Sequence, residues 1–227
     1  MLHRSILADV EPRLTGAALE RTWLDDHTWV DRAPGWLAGA DELYEMLTAT
    51  VAWEQGKLWR YERWVEEPRV GSFYGRNRGF PHPVVAAAQR AIQDHYRVQF
   101  EGVALAWYRD GNDSVAFHRD REMRYCEDTV VAILTLGARR PWLLRRRTRA
   151  DKWIADHGGA EYDLAPASGD LFVLGGRAQA DWEHSVPKLS GAGARAGRIS
   201  MQWRYTSRRG RPEVGGSYRA PRNFSRR

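Results

Sequence analysis

Cysteine is almost missing from this chain: Cys126 is the single one among 227 residues. An internal disulfide is therefore excluded, and so is a thiolate cluster holding zinc or an iron–sulfur centre. Any metal must be held by nitrogen and oxygen ligands. Long apolar runs are missing too. No stretch approaches the roughly 20 consecutive apolar residues that span a bilayer, and Met1-Leu2-His3-Arg4-Ser5-Ile6-Leu7 lacks the apolar core of a secretory signal. The expectation is a cytoplasmic monomer with no membrane partner. There is also no internal repeat, and with 43% hydrophobic residues the chain suits one sizeable core rather than two full domains.

Both signs of charge are abundant, and their placement matters more than the sum of +6. Seven arginines and one acid, Glu213, follow Arg204, whereas residues 1–204 carry 28 basic and 28 acidic side chains. Residues 206–227, punctuated by Gly210, Pro212, Gly215, Gly216 and Pro221, read as a basic, disordered tail that either binds phosphates or merely solubilises.

Pro12, Pro34 and several glycines interrupt the first forty residues, which are expected to form short helices and irregular packing. A helix is predicted over Asp41–Trp53, with Asp41 as its cap, and a second from Pro83 to about Tyr96. From about residue 98 the texture changes to short β-branched and aromatic runs: Val103–Tyr108, Val115–His118, Thr129–Leu136, Trp142–Arg146, Leu171–Leu174 and Arg198–Tyr205. Short strands after a helical preamble suggest an α+β fold, an antiparallel sandwich or jelly roll with helices outside. Residues 1–64 are read as a helical decoration, and 65–205 as the core of the same domain.

His118-Arg119-Asp120 places an imidazole and a carboxylate on one face of an extended strand. With a third ligand from another strand they would form the two-histidine, one-carboxylate set suited to Fe(II), and His184 in Trp182-Glu183-His184-Ser185-Val186-Pro187 is the best candidate. Alone, the tripeptide could be a surface ion pair and His184 an ordinary hydrogen-bonded histidine. A second pattern lies downstream. In Arg198-Ile199-Ser200-Met201-Gln202-Trp203-Arg204 the even positions share one strand face and the odd positions the other. Inside a jelly roll that polar face would line a pocket where guanidinium groups bind a dicarboxylate; otherwise it is a solvated face. Ala104, Ala106 and Tyr108 alternate in the same way with Val103, Leu105 and Trp107.

Together these residues resemble the AlkB family of Fe(II)/2-oxoglutarate dioxygenases. The family pattern runs Asn-x-Tyr-x-x-Gly-x-Asp, four residues, His-x-Asp, a distant His, then Arg, five residues, Arg. It is matched by Tyr108 to Asp120, by His184-Ser185-Val186-Pro187 and by Arg198 to Arg204; Pro68-Arg69 and Phe73-Tyr74-Gly75 also look like a family segment. The resemblance implies a double-stranded β-helix (jelly roll) with N-terminal helices outside. It implies iron on His118, Asp120 and His184, 2-oxoglutarate on Tyr108, Arg198 and Arg204, O2 as second co-substrate, and alkylated DNA or RNA as partner. The reaction would be oxidative dealkylation releasing formaldehyde, succinate and CO2.

Substrate contacts would come from Glu122, through its carboxylate, from Arg69 near phosphate with Arg76 and Arg78, and from Tyr74 and Phe80 as stacking or wedge rings. Arg139, Arg140, Arg145, Arg146, Arg147 and Arg149 could add a backbone-binding stripe. This chain departs from the pattern at Ala106, where the family has Asn, and at Arg121, where many members have Asp. Oxygenase chemistry on a protein or small molecule, and a non-catalytic nucleic-acid-binding module, are the alternatives. If the tail binds phosphates, removing residues 208–227 lowers the salt dependence of oligonucleotide binding, by about 0.7 in the logarithmic slope for each single-strand phosphate that the tail neutralises. A salt titration of full-length and truncated protein checks this; an unchanged slope rejects the role.

Overall fold

The computed structural model describes residues 10–60, 62–75, 77–120, 123, 126–147 and 160–206. Where short helices are expected near the N-terminus, the chain forms strands β1 (Arg13–Leu14), β2 (Glu20–Asp25), β3 (Thr28–Ala33) and β4 (Leu37–Ala38). Two physical reasons account for the correction. Thr22, Trp23, Thr28, Trp29 and Val30 favour a pleated surface around the two-residue loop Asp26-His27. In addition, β3 gains a distant antiparallel partner in β12 (Leu171–Gly176), with Val30 opposite Leu174.

Helix α1 (Ala40–Thr50) follows, entered through Gly39 in the left-handed region rather than capped by Asp41; Asp41 lies in the first turn and accepts a hydrogen bond from Ser168 Oγ at 2.6 Å. Strands β5 (Glu54–Arg60) and β6 (Arg63–Gly75) form a hairpin that crosses the expected boundary at residue 64, so the N-terminal segment is part of the main sheet, not a helical decoration. Helix α2 (Pro83–Tyr96) starts as predicted. Pro83 occupies its first turn, and His82 Nδ1 accepts the Val84 N–H.

The remaining strands fall close to their expected places: β7 (Gly102–Tyr108), β8 (Val115–His118), β9 (Thr129–Gly137), β10 (Leu143–Arg146), β11 (Tyr162–Asp163), β12, β13 (Trp182–Val186) and β14 (Arg198–Thr206). A short helix, α3 (Ala178–Asp181), leads directly into β13. Eight strands form an antiparallel sheet in the order β2-β3-β12-β9-β14-β7-β6-β5, and four form a second sheet in the order β11-β10-β13-β8. No strand pairing joins the two sheets among the described residues.

Three layers result. On one face of the large sheet, Val103, Leu105, Ile199, Met201 and Trp203 pack with Leu43 and Leu47 of α1 and Val85, Ala88 and Ile92 of α2. On its other face, Tyr108, Val131, Ile133, Phe172 and Leu174 meet Leu144, Trp182 and Val186 of the small sheet and Trp142, the residue before β10. Being covered on both faces, β9 reads Thr-Val-Val-Ala-Ile-Leu-Thr-Leu without polar alternation. The odd residues of β14 face the helices as predicted, which leaves Arg198, Ser200, Gln202 and Arg204 on the face toward the small sheet.

The outer hairpin is held by an aromatic–ionic ladder. Arg21 pairs with buried Asp31 through two hydrogen bonds and lies 3.7 Å from the Trp29 ring, which stacks on Tyr96, whose hydroxyl donates to Asp31. Trp29 can lie there because its neighbour across the ladder is Gly175; a Cβ on Gly175 would come within 1.9 Å of the indole. Gly175→Ala is expected to dislodge Trp29 and lower stability by about 1–3 kcal/mol. Urea unfolding checks this, as a lower midpoint at unchanged slope.

Candidate metal centre and anion pocket

Register brings the first constellation together. Strand β13 pairs with β8 so that His184 lies opposite His118, and the two rings stand 4.3 Å apart. Asp120, just past the end of β8, has Oδ1 3.9 Å from His118 Nε2. One ligand atom from each of His118, Asp120 and His184 lies within 4.8 Å of the others, a group that could hold a metal ion. His118 Nδ1 is 2.9 Å from the Ala116 carbonyl. A carbonyl only accepts, so Nδ1 carries the proton and Nε2 keeps its lone pair. Trp142, which sequence reasoning placed in a strand and gave no role, stacks on His184 at 5.0 Å and fixes its ring plane.

Electrostatics suit a cation here. Burial and the adjacent His118 push His184 down to about 3, and burial also lowers His118, so both imidazoles are neutral donors at pH 7. Burial works against the Asp120 charge, yet Arg204 and the two imidazoles outweigh it and hold the carboxyl well below the usual range. Arg204 Nε donates to Asp120 Oδ2 at 2.9 Å, and its Nη2 bonds Gln202 Oε1. The Asp120 backbone N–H donates to Oε1 of Gln179 on α3 at 2.8 Å.

The second constellation adjoins the first across β7 and β14, where Arg198 pairs with Tyr108 and Ser200 with Ala106. Arg198 and Arg140 are both fully buried, with guanidinium carbons 5.2 and 5.4 Å from the Tyr108 ring centre. Burial pushes Arg198 down to about 10 and lowers Arg140 too. Arg140 is satisfied on two nitrogens by the carbonyls of Asp110, Asp113 and Pro187. By contrast, Arg198 Nε and Nη2 and Ser200 Oγ are buried without a hydrogen-bond partner among the described residues. Neither arginine has a carboxylate within ion-pair distance among the described residues. Buried donors and charge of this kind fit an incoming carboxylate. The Tyr108-x-x-Gly111-x-Asp113 segment frames the pocket: Asp113 accepts from Arg109 N and Nε, and Gly111 packs where a Cβ would stand 2.6 Å from the Leu189 carbonyl.

A family model described as 2OG-Fe(II) oxygenase superfamily matches residues 41–204. The chain belongs to the 2OG-Fe(II) oxygenase superfamily. Within that superfamily it is 30% identical over 190 residues to alpha-ketoglutarate-dependent dioxygenase alkB homolog 3 of Mus musculus, covering 78% of this chain and 65% of that protein. It is 28% identical over 167 residues to the Homo sapiens DNA oxidative demethylase ALKBH2, covering 66% and 63%. The chain thus spans just under two thirds of the length of these relatives. Among solved structures, a Trichoplax adhaerens prolyl hydroxylase superposes with a TM-score of 0.55 at 9% identity, covering 78% of this chain and 83% of that one. A Pseudomonas putida prolyl-4-hydroxylase gives 0.50 at 18%, covering 80% and 94%. At those identities the likeness is one of fold.

For this superfamily member, the residues expected to meet substrate are placed less simply. Tyr74 is 6% exposed and belongs to the helix-side core, whereas its neighbour Phe73 is 54% exposed. Strand alternation turns Phe73 to the face of Gly71, Ala104 and Ala106. Phe80 packs against the core and is half-buried. Arg69 lies inside the site: burial opposes its charge, and Tyr108, Glu67 and Asp120 more than offset it. Arg78 covers the Tyr74 ring and donates to the Phe73 carbonyl.

The arginine stripe does not form as expected. Arg140 is buried, Arg145 pairs with Glu183 and lies over Phe117, and Arg146 pairs with Asp25. Glu122, Arg121, Arg76, Arg149 and residues 207–227 lie outside the described residues. The Asp120 carbonyl accepts from the Met123 N–H.

A pH prediction follows for metal-free protein. His184 binds a proton near 6.5 when unfolded and only near 3 when folded, so the unfolded state takes up protons first as pH falls. Stability should decline from about pH 6.5 toward 3, and His184→Gln should flatten that decline; urea midpoints across the range check it.

Proposed function

We propose that this chain is an Fe(II)- and 2-oxoglutarate-dependent dioxygenase of the AlkB type that oxidatively removes alkyl groups from nucleobases in DNA or RNA. The observation that carries the proposal is the gathering of His118, Asp120 and His184 ligand atoms within 4.8 Å beside a buried guanidinium with unpartnered donors. Two imidazoles and one carboxylate are the donor set that suits Fe(II) and leaves positions open. The two facing sheets are read as the double-stranded β-helix (jelly roll) that carries such centres.

In this reading His118 Nε2, His184 and Asp120 hold iron, and Trp142 and the Ala116 carbonyl fix the two rings. Arg198 receives the distal carboxylate of 2-oxoglutarate through Nε and Nη2, with Tyr108 beside it. Ser200 lies directly across the ladder from Ala106 and offers a hydroxyl where the family's asparagine is absent. Arg204 orients Asp120 by ion pairing, and its Nη2 is held by Gln202 Oε1. When bound, iron supplies dioxygen activation at the expense of 2-oxoglutarate, giving succinate and CO2 and, from an N-methyl group, formaldehyde.

Support for a nucleobase substrate comes from the alkB relatives and from the exposed aromatics. Phe73 borders the site face, and Trp64, 44% exposed, caps the β5–β6 hairpin against Trp59. An exposed ring on the site face, as Phe73 is, suits a flipped or single-stranded base. Single-stranded oligonucleotides carrying 1-methyladenine or 3-methylcytosine, with Fe(II), 2-oxoglutarate and ascorbate, should yield formaldehyde and succinate in equal amounts. His184→Ala should abolish both while leaving the circular dichroism unchanged. Succinate without formaldehyde would redirect the substrate search, and neither product from iron-loaded protein would sink the proposal.

A further inference from the structure

We propose that Gln179 is a positioning residue of the metal centre, holding the Asp120 backbone in place from outside the ligand set. This rests on the reading that His118, Asp120 and His184 bind a metal. Asp120 lies beyond the end of β8, where no ladder hydrogen bond fixes its backbone. Its N–H is instead tied to Gln179 Oε1 at 2.8 Å. A second tether runs beside it, from Arg119 Nη1 to the Ala180 carbonyl at 3.2 Å. Both tethers end on α3, which passes without a break into β13 and so to His184. The ligand that no strand holds is thereby referenced to the element that carries another ligand. Arg204 orients the Asp120 carboxylate, and Gln179 orients the backbone from which it projects.

The burial of Gln179 points the same way. Its side chain is fully buried, and Nε2 has no hydrogen-bond partner among the described residues. A primary amide with both N–H donors left unsatisfied is a costly way to fill space, and methionine of nearly the same shape would fill it without that cost. What methionine lacks is the acceptor that Asp120 uses. Outer groups that orient a ligand in this way change metal affinity without touching the ion.

The test is Co(II) binding to metal-free protein, followed by calorimetry and by visible absorption, in wild type, Gln179→Met, Gln179→Asn and His184→Ala. The Asn variant stays polar but is one methylene short of Asp120, and it serves if the Met variant does not fold. The expected result is a 10- to 100-fold weaker Co(II) affinity in a folded Gln179 variant, with an altered absorption band. A residue that only packs α3 would lower the melting temperature of metal-free protein and leave affinity and spectrum alone, and that outcome overturns the proposal. Wild type that binds Co(II) no better than His184→Ala would instead remove the metal centre on which the proposal stands.

Discussion

The antiparallel register of β13 against β8 is the constraint on which the site depends. Because His184 falls opposite His118, two imidazoles from distant parts of the chain stand 4.3 Å apart. A slip of one residue would turn His184 to the other face of the small sheet, since strand side chains alternate. That register is secured by apolar packing: Trp182 and Val186, on the same strand, are buried with Trp142, Leu144 and Phe172 between the sheets. The hydrophobic layer that closes the fold therefore also sets the spacing of the polar groups inside it.

Charge inside that layer follows a consistent logic. Asp31, Asp113 and Glu183 each have an arginine partner, so most buried or half-buried charge is compensated within the protein. Arg140 is stabilised by carbonyl dipoles. Arg198 differs, with two nitrogens unpaired at full burial, which the fold tolerates at a cost that an anion would relieve. The excess positive charge of the pocket and the negative charge of Asp120 lie next to each other, bridged by Arg204.

Much of this was legible in the sequence where local pattern and final environment agree. The alternation of Arg198 to Arg204 and of Val103 to Tyr108 survives because each strand has one apolar face against the helices and one polar face toward the site. Helix α2 was legible from its proline and spacing. What was not legible depended on distant partners. Strand β3 has local β-forming residues, but its pairing with β12, with Val30 opposite Leu174, brings in a distant partner that local pattern does not announce. Tyr74 and Phe73 are adjacent aromatics whose roles are decided by one step of strand parity, and the irregular pairing of β5 with β6 obscures that parity. Arg140 looks in sequence like its exposed neighbour Arg139, and only the carbonyls of three separate loop residues make it a structural group. Gln179 carries no sequence signal, because its importance lies in an N–H of a residue far upstream.

The Arg204–Asp120 contact has a consequence for denticity. Oδ2 already accepts an N–H from a cationic donor and has surrendered much of its basicity, while Oδ1 faces His118. Asp120 therefore offers one oxygen rather than a chelating pair. Two imidazole nitrogens and a single carboxylate oxygen would give a bound metal ion three donors from this chain. An arginine outside the donor set is what would hold Asp120 to that single oxygen if the three residues bind a metal as proposed.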